Sequence, residues 1–409
     1  MINKKNKIVL AYSGGLDTSV ILHWLIAQGY EVVCFIADIG QQEDFIGLKE
    51  KAYALGATAV YVEDLTQEFV EQYVFRALQA NARYEGHYLL GTALARPLIA
   101  KKQVEIAQKE KCFFLAHGAT GKGNDQVRFE LMYAALMPMA TIIAPWKMAS
   151  FLEQFKGRPD LIAYAHCHSI PVVSTLEKPY SIDENIFHSS FEGGILENVE
   201  EQPPAAIFTH PSVPTASPVL ITIHFKCGVP TAVYDVTNKV VASDAVSLLR
   251  YLNRLAASYG IGYVDLVENR FVGIKSRGVY GTPGGTLLHA AHQALEVVTL
   301  DREVFHLKEF IDIQVGRLIY NGFWGSPEFK FLMAAVTESQ QRVEGSITIQ
   351  LSQGGFIIAK RTSPHSLYNK TVASADKEGG YDQQDAQGFI ALHALRLKTY
   401  FNSIAKEKI

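Results

Sequence analysis

The sequence predicts an α/β protein: an N-terminal doubly wound parallel sheet, a second half of α+β type, and a terminal helix. Three observations carry that prediction. Through the first 170 residues, short apolar runs alternate with helical runs, the pattern of a parallel sheet covered on both faces. After Pro171 the alternation ends. From Gly388 onward Ile390, Ala394, Leu397, Phe401 and Ile404 step by four, three, four and three, one stripe along a helix with a Lys- and Arg-rich opposite face. At 409 residues the chain is long enough for two cores. The expected divisions are 1–170, 171–380 and 381–409.

Lys7–Leu10 reads as a buried strand and Val20–Ile26 as a helix that stops at Gly29. Between them lies Ala11-Tyr-Ser-Gly-Gly-Leu-Asp-Thr-Ser19. A strand, a glycine turn and a helix N-terminus make an anion cradle, because the first backbone N–H groups of a helix have no partner within it. Gly14 and Gly15 let the backbone approach a phosphate, and Ser13, Thr18 and Ser19 add hydroxyls. The loop has no Gly-Lys-Ser/Thr ending, which weighs against γ-phosphoryl chemistry, and no Gly-x-Gly-x-x-Gly. Ser-Gly-Gly-x-Asp-x-Ser instead resembles the pyrophosphate loop of enzymes that cut ATP between the α- and β-phosphates.

The next strands are expected at 31–37, 59–62, 113–116 and 141–144, with helices at 43–55, 66–79, 94–110 and 126–137. Pro97 suits the first turn of its helix. Just ahead of it, Gly91 and Thr92 give either an anion contact or a structural cap. Ligands of such sheets lie beyond the carboxyl ends of the strands, so the Ser13 and Gly118 loops should face one cleft. The second loop, His117-Gly-Ala-Thr-Gly-Lys-Gly-Asn-Asp-Gln-Val-Arg128, places Asn124 and Arg128 four apart on one helical face. Thr120, Asn124 and Arg128 suit a carboxylate and Asp125 an ammonium group, a combination that fits an amino acid.

Beyond Pro171, Lys178–Glu192 reads as an irregular loop crossing the cleft. Gln202–Pro204 and Thr209–Pro218 read as surface linkers. A strand is expected at 219–225, hairpins at 229–241 and 345–359, and helices at 246–259, 287–298, 304–320 and 327–343. Glu268, Arg270, Lys275 and Arg277 lie in a strand-like setting. They are either a solvated, salt-bridged sheet face or a surface for a zwitterionic or phosphorylated ligand.

Net charge is −3, which gives no basis for nucleic acid or a membrane surface as partner. No apolar run approaches the roughly 20 residues needed to span a bilayer. Met1–Lys7 lacks the apolar core of a signal peptide. Cys34, Cys112, Cys167 and Cys227 lie far apart and form no Cys-x-x-Cys pair, so neither a metal site nor a disulfide framework is expected, and the chain suits the reducing cytoplasm.

The whole chain resembles the argininosuccinate synthase family. The resemblance rests on Ala11–Ser19, Tyr88-Leu-Leu-Gly-Thr92, Ala95-Arg-Pro97, His117–Arg128, Val267-Glu-Asn-Arg270 and Lys275-Ser-Arg-Gly-Val-Tyr280. It implies an adenine nucleotide alpha hydrolase-like nucleotide-binding domain, a synthetase domain and a homotetramer whose C-terminal helix reaches across subunits. It also implies ATP with Mg²⁺, citrulline and aspartate as substrates, and citrullyl-adenylate as intermediate. By the same resemblance, Ala11, Tyr12, Ser13, Gly14, Gly15, Leu16, Asp17, Thr18, Ser19, Ala37 and Gly118 match the ATP site. Thr120, Asn124 and Asp125 match the aspartate site. Tyr88, Asn124, Arg128, Ser181, Ser190, Glu268 and Tyr280 match citrulline contacts, with Glu268 on the ammonium group. No general base and no protein metal site are assigned. Three positions depart from the family: Ala93 for a usual Ser that contacts citrulline, Gly281 for a usual Glu, and Tyr263 for a usual Arg.

Overall fold

A computed structural model describes residues 6–171, 180–208, 217–374, 380 and 382–406. The chain divides into two compact units, Met1–His365 and Ser366–Ile409. The first unit opens with a parallel sheet of β1 (Lys7–Ala11), β2 (Glu31–Asp38), β3 (Ala59–Asp64), β4 (Phe114–Ala116) and β5 (Thr141–Ile143). Their order across the sheet is β3-β2-β1-β4-β5. The alternation of side chains along a strand explains why the middles of β1 and β2 are apolar at every position. Ile8 and Leu10 of β1, with Val32, Cys34 and Ile36 of β2, enter one core against helices Leu16–Ala27 and Arg158–Cys167. Val9, Val33 and Phe35 enter the other, against helix Gly91–Lys109. The strand order reverses between β1 and β4, and both glycine loops leave the carboxyl ends of these two strands at that switch point, the crevice where sheets of this kind bind ligands.

Two antiparallel sheets follow. One has four strands in the order β11-β12-β7-β6, built from β6 (Ser181–Glu184), β7 (Ser189–Glu192), β11 (Tyr263–Asn269) and β12 (Lys275–Gly281). The other joins β8 (Val219–Lys226), β9 (Val229–Tyr234), β10 (Val240–Ala242), β13 (Gly345–Ser352) and β14 (Gly355–Thr362). Ile221, Ile223, Ile347 and Ile349 of this second sheet share a core with Val9 and Val33 of the parallel sheet. The second unit contains helix Asp385–Lys406, on which Phe389, Ile390, Leu397 and Phe401 are exposed.

Three departures from the sequence reading bear on how the elements are built. The described part of the stretch expected as a loop, from residue 180 to Glu192, contains a β-hairpin, β6 with β7; residues 178–179 lie outside the described residues. Its strands are built of serines and acids, and β7 is held by pairing with β12 some ninety residues on, so no local periodicity marks them. Helix Gly91–Lys109 begins three residues earlier than expected, which puts Pro97 inside it. Leu90 makes the turn into that helix in the left-handed region, at φ +68°. The helix expected at 66–79 contains a π turn at Val70–Val74. Of the linker expected at Thr209–Pro218, residues 209–216 lie outside the described residues.

Candidate active site

The first loop is shaped as an anion cradle. Gly14 sits at φ +73°, and a Cβ there would collide with Leu48. Gly15 precedes helix Leu16–Ala27 in extended conformation and no side chain caps that helix, which leaves its first N–H groups to a ligand. The hydroxyls fix the turn: Ser13 Oγ lies 3.0 Å from Thr18 Oγ1, and Ser19 Oγ donates to the Gly14 carbonyl at 3.2 Å. Lys51 Nζ donates to the same carbonyl at 2.6 Å, bringing an ammonium group to the loop; half-burial draws its pKa down. Gly118 approaches the first loop so closely that a Cβ would stand 3.0 Å from Thr18 Cγ2. Ala37 is the next-to-last residue of the adjoining β2, its carbonyl accepting from Gln41 Nε2 at 2.7 Å.

Across the crevice stands the four-stranded sheet. Its register puts Ser181 opposite Glu192, Asp183 and Tyr280 opposite Ser190, and Glu268 opposite Ser276. Ser181, Asp183, Ser190, Glu192, Glu268 and Tyr280 therefore share one face. The Tyr280 ring lies over Gly278, where a Cβ would meet its hydroxyl at 2.6 Å. Tyr88 stacks on Tyr280 with ring centres 4.2 Å apart, and Tyr320 stacks on Tyr84 at 3.5 Å. All four expected citrulline residues of this sheet are thus gathered on the Tyr88 side; Ser181 is exposed on the edge strand, while Ser190 and Glu268 are buried.

Contacts spanning the crevice tie the two walls. Asn124 Oδ1 accepts from the Phe271 backbone N–H at 2.9 Å. Ile186, in the β6–β7 turn, donates its N–H to the Ile39 carbonyl at 2.9 Å, beside Ala37. Asp125 begins helix Asp125–Leu136 and accepts from Arg96 Nε at 2.9 Å and Arg128 Nη1 at 2.8 Å, while Arg96 Nη2 reaches Asp183 at 2.6 Å. Burial pushes the Asp125 carboxyl up, and the two guanidiniums more than offset it, leaving its pKa at about 2. Arg128 Nε donates to the Tyr320 carbonyl at 3.0 Å. Thr120 is exposed in the second loop.

Buried polar groups ordinarily find partners. Among the described residues, five buried side-chain atoms have none, and three of them belong here: Glu268 Oε2, Tyr320 Oη and His188 Nδ1. Glu268 is 4% exposed, and burial pushes its carboxyl up, the state of an acid in need of a cation. Arg270 pairs with Glu192, and its Nε stands 3.9 Å from Glu268 Oε1. Arg277 belongs to the opposite face, donating to Asp265 and to the carbonyls of Asn198 and Glu201. The charged stretch 268–277 is therefore divided by register: Glu268 lies on the face with Ser190 and Tyr280, and Arg277 forms a salt-bridged surface on the other. The departures Tyr263 and Gly281 are direct cross-strand partners on that far face: a Cβ on Gly281 would lie 2.9 Å from Tyr263 Cε1. Ala93 is wholly buried in the first turn of helix Gly91–Lys109.

Sequence reasoning missed Arg96, Lys51, His188 and Tyr320 as site residues. Arg96 and His188 lie in stretches already singled out, and Arg96 stands beside a helical proline. Lys51 and Tyr320 carry no local signal, since each is brought in by the packing of a helix remote from the glycine loops in sequence.

Comparison with known proteins agrees with this geometry. The family model described as the arginosuccinate synthase N-terminal HUP domain matches residues 7–171, and the arginosuccinate synthase C-terminal domain matches residues 180–400. Argininosuccinate synthase of Thermotoga maritima is 53% identical over 399 residues, covering 97% of this chain and 98% of its own. That of Xenopus tropicalis is 51% identical with both chains covered in full, and that of Homo sapiens 48% identical over 98% of each. The parallel sheet with its pyrophosphate-type loop, the polar sheet face opposite it and matches along nearly the whole length agree: this chain belongs to the argininosuccinate synthase family.

Proposed function

We propose that the chain condenses L-citrulline with L-aspartate at the expense of ATP, giving argininosuccinate, AMP and diphosphate, a step of arginine biosynthesis. The observation that carries this reading is the pairing across one crevice of an uncapped glycine turn with the buried Glu268 carboxylate, whose Oε2 lies near Tyr320 without a well-formed hydrogen bond and whose only ion-pair contact among the described residues is the distant Arg270 Nε. The turn suits a leaving diphosphate and the carboxylate an α-ammonium group.

A ureido carbon is a poor electrophile, so it needs a leaving group before an amine can attack. Attack of the ureido oxygen on the α-phosphorus supplies one, and diphosphate departs. The aspartate amine then displaces AMP. The residues of the Ala11–Ser19 loop, with Ala37 and Gly118, hold the nucleotide, and their N–H groups meet charge building on the leaving diphosphate. Lys51 adds positive charge from behind the loop. Glu268 orients citrulline by its ammonium group, with Tyr88, Tyr280, Ser181, Ser190, Asn124 and Arg128 around it. Thr120, Asn124 and Asp125 border the aspartate, whose carboxylates suit the free N–H groups that open helix Asp125–Leu136. Mg²⁺ comes with the nucleotide. Among the described residues no group of three or more His, Cys, Asp or Glu is assembled for a metal.

We also propose a homotetramer acting in the cytoplasm. Exposed Phe389, Ile390, Leu397 and Phe401 on the terminal helix support association, and the separate, unpaired cysteines support a reducing compartment. Among the described residues no helix is long and apolar enough to cross a membrane.

A second reading, ligation of a citrulline analogue, is favoured by Ala93 alone. Loss of one hydroxyl partner costs about 0.5–1.5 kcal/mol, up to about tenfold in affinity. The test is a substrate panel read by AMP and diphosphate release. Release that requires citrulline and aspartate together, with citrulline best in kcat/KM, is expected. Release indifferent to citrulline refutes the proposal, and an analogue that outperforms citrulline selects the second reading.

A further inference from the structure

His188 belongs to none of the expected substrate sites, yet it is buried between them. It follows the turn of the β6–β7 hairpin, two residues after Ile186, which bonds the strand end beside Ala37. Its ring presses on Gly91, where a Cβ would collide with it. Helix Gly91–Lys109 runs antiparallel to the neighbouring strands, so this N-terminus faces the same edge of the sheet as the pyrophosphate-type loop. The ring centres of Tyr88 and Tyr280 each lie 6.2 Å from that of His188. Nε2 is 2.8 Å from Thr92 Oγ1, and Nδ1 is buried without a partner. The imidazole is 4% exposed, and burial lowers its pKa to about 4, so at neutral pH it carries one N–H.

We infer that His188 is a substrate-contacting residue whose Nδ1 accepts a hydrogen bond from a ureido N–H of the substrate. This rests on the ligase reading above and assigns the ureido end of that same site. The chemistry selects the tautomer. In adenylation a lone pair of the ureido oxygen forms the bond to the α-phosphorus. The bond from that phosphorus to the α–β bridging oxygen breaks, and its electron pair leaves with diphosphate. Positive charge spreads onto the ureido nitrogens. An acceptor on one of their N–H groups stabilises that charge as it grows, and no proton need move. A donor aimed at the ureido oxygen would withdraw the attacking lone pair. His188 therefore donates from Nε2 to Thr92 Oγ1, and Thr92 fixes the ring so that the bare Nδ1 meets the substrate. Glu268 holds the ammonium end, and His188 serves the reacting end nearer the nucleotide loops.

Two substitutions separate this role from a structural one. The His188→Asn side chain places an amide oxygen near the position of Nδ1 but cannot reach Thr92. The His188→Gln side chain reaches Thr92 but leaves the Nδ1 position empty. The expected result is a loss of about 10- to 100-fold in kcat/KM for citrulline in His188→Gln and under about fivefold in His188→Asn, with KM for ATP unchanged in both. The reverse order, or two variants equal to wild type or equally impaired, overturns the inference. A readout independent of folding is the ¹⁵N resonance of His188 Nδ1 in the full-length wild-type protein. It should move from a free acceptor toward a hydrogen-bonded one when citrulline and a non-hydrolysable ATP analogue are added, and a resonance that stays in place also overturns the inference. Wild-type protein that does not turn over citrulline removes the ligase reading and this inference with it. Active wild type with the wrong variant order removes the inference alone.

Discussion

Glu268 is where a single side chain decides most. Its Oε2 is buried without a partner, and the nearest cation, Arg270 Nε at 3.9 Å from Oε1, is already shared with Glu192. A carboxylate so placed gains from an arriving ammonium group what burial has taken from it. Hydrogen bonds to charged groups contribute roughly 1.5–3 kcal/mol, so Glu268→Gln should raise KM for citrulline by about 10- to 100-fold and leave KM for ATP within about twofold. Steady-state kinetics with each substrate varied in turn would check this, and an unchanged citrulline KM would detach Glu268 from the substrate. The residue was legible in the sequence as an acid among three bases. Its isolation was not, because Arg277 and Lys275 fall on the other side of the strand or at its end, and only register reveals which charges meet.

At the scale of elements, the four-stranded sheet separates function from family variation. Tyr280 and Glu268 point to the crevice, whereas Tyr263 and Gly281 pair on the reverse side, where Phe208 meets the Tyr263 ring edge-on at 5.7 Å. The two positions at which the resemblance implies an Arg and a Glu are therefore direct cross-strand partners, and here a tyrosine covers a glycine. Gly281→Glu alone should destabilise by about 1–3 kcal/mol through crowding against Tyr263 and Ser189. Tyr263→Arg alone uncovers the glycine. The double variant should recover stability with a coupling of roughly 0.5–1 kcal/mol, and citrulline KM should stay within about twofold throughout. Denaturant melts and kinetics on all four proteins test this; strictly additive effects would break the pairing. The β6–β7 hairpin shows why such elements escape sequence reading. Its strands are polar on the side that serves the site, and their partner β12 is remote in the chain. The alternating elements of the first 170 residues were readable because the central strands β1 and β2 are apolar on both sides, as two cores require.

For the molecule as a whole, buried ionisable groups set the response to acid. His188, with its folded pKa brought down to about 4, stays neutral in the fold but takes up a proton near pH 6.5 once unfolded. Its contribution is complete above about pH 6.5 and is lost as pH falls through about 4, a difference of ~3 kcal/mol. His289, lowered by burial, acts in the same direction. Asp312, raised by burial to about 6, acts oppositely: its contribution is present below its unfolded value and is lost as pH rises through about 6. Stability should therefore fall on acidification from pH 6.5 to 4, and more steeply in Asp312→Asn. Urea melts across that range would contradict this if stability rose instead. Neither wall of the crevice suffices for the chemistry, since one holds the nucleotide loops and the other the Glu268 face. Direct transfer between substrates bound on the two walls is thus the central claim. It is tested by citrulline carrying ¹⁸O in its ureido group, turned over with ATP and aspartate, with ³¹P spectra of the products. The label should appear in the phosphate of AMP and be absent from diphosphate. Unlabelled AMP, or ADP with inorganic phosphate, would contradict the account.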